Sequence, residues 1–80
     1  MGRYSKESTL RAEEIVEKAA AYFGSGRLGL EVAEQGECCL LLQGGGGHVF
    51  LEIEKKDSGS AVEIETREWD YHVKAFLKEV

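Results

Sequence analysis

The sequence predicts an α+β domain: a four-stranded antiparallel meander with N- and C-terminal helices packed on one face, in the order α-β-β-β-β-α. Three observations carry this expectation. Apolar residues recur at helical spacing early and late in the chain. Period-two alternation occupies the middle, and short glycine-bearing turns divide it. Residues 1–80 read as a single domain, with no repeat and no linker.

The first helix is expected from Thr9 to Phe23, where Ala12, Ile15, Val16, Ala19, Tyr22 and Phe23 fall on one stripe opposite Glu13, Glu14, Glu17 and Lys18. Ser8 or Thr9 is the expected N-cap, and Gly24-Ser25-Gly26 the stop. Leu28, Leu30 and Val32 then alternate with Gly29, Glu31 and Ala33, as a half-buried strand does. Gln35-Gly36 reads as a two-residue hairpin tip, glycine supplying the positive φ. Cys38 to Gln43 shows no alternation, so both of its faces are apolar and a central strand is expected. Gly44 to Gly47 connect it to a strand starting at His48. Lys56-Asp57-Ser58-Gly59 forms the next turn, with Ala61 to Thr66 as the last strand. In the closing helix Trp69, Val73, Phe76, Leu77 and Val80 share a stripe, with Thr66 as the expected N-cap.

Facing residues of an antiparallel pair share one side of the sheet. A tip at Gln35-Gly36 places Leu28, Leu30, Val32, Cys39 and Leu41 in the core with Val49, Leu51, Ile53, Val62 and Ile64. The helix-free side then carries Cys38, Leu40, Leu42 and Phe50, ringed by acids, with Glu52 directly opposite Glu63. Such a patch marks an interaction surface. Residues 28–65 hold eight acids and two lysines, a balance of −6, so the chain's net charge of −5 belongs to the sheet.

Composition removes several function classes. An acidic chain without a basic run is not expected to bind nucleic acid or an anionic membrane. The longest apolar stretch, Cys38 to Leu42, falls far short of the roughly 20 residues that span a bilayer. The segment after Met1 lacks the apolar core of a signal peptide, and the adjacent pair Cys38-Cys39 cannot staple the fold, so a reducing cytoplasmic setting is expected. The four glycines lack the lysine, hydroxyl and helix of a phosphate loop. Cys38 and His48 lie roughly 13 Å apart along the strands, too far for one metal. No cofactor, no metal and no catalytic group are expected.

The expected function is therefore a non-catalytic cytoplasmic protein-interaction or assembly module. It would be homodimeric through the acidic and apolar sheet face, using Cys38, Leu40, Leu42, Phe50, Glu52 and Glu63, with a basic protein partner as a close variant. The alternative is a small-molecule binder or minor enzyme. Its pocket would lie between helices and sheet, lined by Tyr22, Trp69 and His72, or at a dimer seam.

Overall fold

The computed structural model describes residues 2–24 and 27–80. Its elements are β1 (Gly2–Ser8), α1 (Ala12–Phe23), β2 (Glu31–Gln35), β3 (Cys39–Gly44), β4 (Gly47–Lys56), β5 (Gly59–Arg67) and α2 (Asp70–Leu77). The strands form one antiparallel sheet in the order β1-β5-β4-β3-β2. The α+β class and the antiparallel sheet hold, but the sheet has five strands rather than four.

The extra strand is β1. Its only apolar side chain among the described residues is Tyr4, so nothing in its pattern announces a strand. An edge strand does not need the full pattern, because it is covered on one side only. Tyr4, Lys6 and Ser8 stand across from Ile64, Val62 and Ser60 of β5, on the face beneath α2. Each is tied to that end of the molecule. Tyr4 Oη donates to Asp70 Oδ2, Lys6 Nζ to the Leu77 carbonyl and Ser8 Oγ to the Val80 carbonyl. A lysine on the helix-bearing face thus stays exposed, with its ammonium held by a carbonyl at the end of α2.

Helix α1 buries the stripe read from the sequence: Ala12, Ile15, Val16, Ala19, Tyr22 and Phe23. It begins at Ala12 rather than Thr9. Neither Ser8 nor Thr9 caps it; Ser8 ends β1, and Arg11 occupies the N-cap without a side-chain bond. The stop is met at Gly24, whose N–H donates to the Ala20 carbonyl. Ser25 and Gly26 lie outside the described residues. α1 lies against β3 and β4, α2 against β1 and β5, and one core joins both helices to the sheet. At its heart the Tyr22, Phe23 and Phe76 rings meet, with centroids 5.0, 5.4 and 5.5 Å apart.

Thr66 is not the cap of α2. It is fully buried in β5 and its Oγ1 donates to the His48 carbonyl at 2.8 Å. Trp69 takes the N-cap position of α2, and its Nε1 donates to the Gly44 carbonyl at 3.0 Å.

The Tyr4–Asp70 bond fastens the edge strand to α2 and has a pH signature. The bond to Tyr4, ahead of all other causes, holds the Asp70 carboxyl below its ordinary value of 3.8, and the bond to Asp70 raises Tyr4 above 10.0. A depressed carboxyl contributes stability above its unfolded value and loses it as pH falls through the folded one; a raised phenol behaves conversely at the alkaline end. The contribution therefore fills the window between those limits. Asp70→Asn is expected to lower the melting midpoint at neutral pH, with the gap to wild type closing as pH falls below the carboxylate range. A gap that persists at the acid end shows that the bond from the Tyr4 phenol to the ionised Asp70 carboxylate is not what holds β1.

Candidate interaction face

With both helices on one side, the other side of the sheet carries no helix among the described residues. Which side chains reach it is decided by two turns and one bulge. Gly44 pairs with Gly47, leaving Gly45 and Gly46 as a two-residue tip with φ of 59° and 80°. Two consecutive left-handed residues are the requirement of the hairpin turn that matches strand twist, and glycine meets it without strain. From that tip the register places Leu42 opposite Val49, Leu41 opposite Phe50, Leu40 opposite Leu51 and Cys39 opposite Glu52.

The expected patch is corrected at this point. Leu40 and Leu42 are 0% exposed and sit in the core beneath the helices. Cys38 also packs against the core, its carbonyl accepting from the Ile53 N–H. The bare face instead carries Cys39, Leu41 and Phe50, so Leu41 and Cys39 were missed while Phe50, Glu52 and Glu63 were placed on the correct side. The reason is a bulge in the β2–β3 hairpin. Its tip is Glu37-Cys38 rather than Gln35-Gly36, since Gln35 pairs with Leu40 and the Gly36 N–H donates to the Cys39 carbonyl. A bulge between Val32 and Glu34 then resets the pairing, so Val32 lies opposite Leu42. One extra residue in a strand exchanges its faces.

Leu41 and Phe50 form a cross-strand pair in the middle of the face, both half-buried, with Glu34 beyond Leu41 and Glu65 beyond Phe50. The next row runs Cys39, Glu52, Glu63 and Ser5. Glu52 does lie directly opposite Glu63, and Arg3 on the edge strand donates to Glu63 Oε1, which relieves that repulsion. His48 Nε2 stands 3.8 Å from Glu65, and Lys56 lies 2.7 Å from Glu54. The Lys56 bond holds the Glu54 carboxyl below its ordinary value, and Glu54 in turn raises Lys56.

Across the whole face stand Glu7, Glu31, Glu34, Glu52, Glu54, Glu63 and Glu65, against Arg3, Lys56 and Arg67. The surface is acidic around an apolar centre. A groove of about 800 Å³ opens on it between Cys39, Glu52 and Glu54 on one flank and Ser5, Glu7 and Glu63 on the other.

The alternative pocket residues are not gathered into one cavity. Tyr22 belongs to the ring cluster under α1, with the Arg27 guanidinium 4.2 Å over its face. The depression beside it is lined by Lys18, Ala20, Ala21, Arg27, Phe76 and Glu79, and neither Trp69 nor His72 reaches it. The Trp69 and His72 rings lie tilted against each other near the start of α2, 5.6 Å apart. Both cysteines are free and half-buried. Among the described residues no group of three or more His, Cys, Asp or Glu side chains could hold a metal ion, and no helix is long and apolar enough to cross a membrane. No protein-family model matches the chain, and neither a curated protein nor a solved structure shows significant similarity to it.

Proposed function

We propose that the chain is a non-catalytic protein-interaction module whose bare sheet face docks a partner presenting basic and apolar side chains. The observation that carries this reading is the Leu41–Phe50 pair, set at the centre of a helix-free sheet face and surrounded by carboxylates. A central apolar anchor inside a charged rim is the usual anatomy of a docking surface. Electrostatics select the partner. Two copies of this face pressed together would bring seven carboxylates from each against the other's, with Arg3, Lys56 and Arg67, two of them already paired with Glu63 and Glu54, and the apolar Leu41, Phe50 and Cys39 to offset the repulsion. A basic surface is attracted by the same rim and held in register by it.

The test is a nuclear magnetic resonance titration with a short amphipathic peptide of lysine and leucine, at low and at moderate salt. Amide shifts are expected to cluster on β3, β4 and β5 around Leu41, Phe50, Glu52 and Glu63, and to weaken as salt screens the rim. Phe50→Ser is expected to weaken binding about fivefold or more, because it removes half of the anchor. Shifts centred on Glu13, Glu14 and Glu17 of α1, or binding indifferent to Phe50, would assign the attraction to bulk negative charge and remove the proposal.

A further inference from the structure

The free edge of β1 carries a pattern that fits a second copy of itself. β1 is hydrogen-bonded to β5 alone, and its pairing runs unbroken from Gly2 opposite Thr66 to Ser8 opposite Ser60. It therefore lacks the bulge or proline that commonly blunts an exposed edge. Arg3, Ser5, Lys6 and Glu7 are exposed. About Ser5 the order Arg3-Tyr4-Ser5-Lys6-Glu7 is self-complementary: a cation and an anion flank it at equal distance on one face, and a ring and a cation on the other.

We infer that two copies of this chain join β1 to β1, antiparallel, about a twofold axis at Ser5, so that their sheets become continuous. In that register Arg3 of one copy stands opposite Glu7 of the other on the bare face, twice over. Tyr4 stands opposite Lys6 on the helix face, their polar ends already held by Asp70 and by the Leu77 carbonyl of their own chains. The helices allow the approach. α2 lies astride β1 and β5, so its two copies run side by side at roughly 10 Å, twice the strand spacing and a normal distance for packed helices. The bonds from Tyr4 to Asp70 and from Lys6 to Leu77 bracket Ser5 at the level of Lys74. Lys74 therefore comes near its own copy at the axis, with its ammonium drawn to 5.7 Å from the centre of the Tyr4 ring of its own chain.

The other edge shows why β1 is chosen. β2 carries Glu31 and Glu34 with Glu37 just beyond, and it is bulged between Val32 and Glu34. Two such edges crowd like charges together, and the bulge interrupts the ladder a partner would extend. Closed twofold pairing is also the commonest form of self-association.

Sedimentation equilibrium at high-micromolar concentration is expected to show a dimer. Arg3→Glu alone and Glu7→Arg alone each place like charges opposite one another, and each is expected to weaken the dimer about tenfold or more. An equimolar mixture of these two single variants is expected to restore it, because the acidic edge of one then faces the basic edge of the other. Circular dichroism of each variant establishes that it is folded. Phe50→Ser is expected to leave the dimer intact, which separates this surface from the one on the bare face. A monomeric wild type, or a dimer that ignores both charge changes, overturns the inference. So does a mixture that fails to restore association.

Discussion

Leu40→Glu is expected to unfold the domain at room temperature, whereas Leu41→Glu leaves it folded. The two positions are neighbours in sequence and identical in residue type, yet they project to opposite sides of β3. Leu40 is 0% exposed, opposite the equally buried Leu51 and beneath α1. Truncating a buried leucine costs about 2–5 kcal/mol. A carboxylate forced into its place must stay charged in an apolar setting or take up a proton at a cost of several kcal/mol more. A chain of this size has a total stability of about 4–12 kcal/mol, so the sum removes most or all of it. At Leu41 the new carboxylate reaches water; it gives up the contact with Phe50 and meets Glu34 across β2, together about 0.5–2 kcal/mol. Urea unfolding followed by circular dichroism measures both. If Leu40→Glu retained a cooperative transition near that of wild type, the face assignment of β3 would be wrong, and the bare face would have to be redrawn.

Phe23→Ala is expected to cost about 3–5 kcal/mol, the range for truncating a buried aromatic. Phe23 is 0% exposed at the end of α1, edge-on to Tyr22 and tilted against Phe76 of α2. Its ring is the point where the two helices meet each other rather than the sheet. The vacancy would loosen α2, and with it the ties from Asp70, Leu77 and Val80 to β1. A fall in melting midpoint of more than about 12 °C corresponds to the lower end of that range in a domain this short. Tyr71→Ala supplies the contrast, since Tyr71 is 77% exposed and its loss should barely move the midpoint. A drop for Phe23→Ala no larger than that of Tyr71→Ala would exclude a packed ring cluster.

These two results bear on how far the sequence can be read. The stripe of α1 was legible because helical periodicity needs no partner: six residues at the right spacing identify their own face. The β4–β5 register was legible for a different reason. Asp57-Ser58 is the tip, and counting back from it sets Ile53 opposite Val62 and Leu51 opposite Ile64; the one-pair shift that would oppose Glu54 to Glu63 is not adopted. The faces of β3 were not legible, because Cys38 to Leu42 is apolar at every position and the strand carries no internal record of which side is inward. Parity therefore had to come from a neighbouring hairpin. Counting from β2 leads to the wrong side because of the bulge at Val32/Glu34, a single inserted residue with no sequence signature. Counting from the glycines would have succeeded: any connection of two or four residues there puts Leu40 and Leu42 on the side of Val49 and Leu51. β1 escaped notice because a charged edge strand held by side-chain bonds to α2 has no need of alternation.

The pairing of β1 with β5 has a consequence for how the chain assembles in time. Gly2 meets Thr66 and Ser8 meets Ser60, so β1 finds its partner only after the intervening helix α1 and strands β2, β3 and β4 have been made. The successive hairpins from Glu31 to Arg67 close short loops, while the β1 contact closes a long one and carries the greater entropic cost. The folding transition state should thus hold β2 to β5 together, with Gly2–Ser8 docking late. Substitutions in that segment should speed unfolding and leave the folding rate nearly untouched.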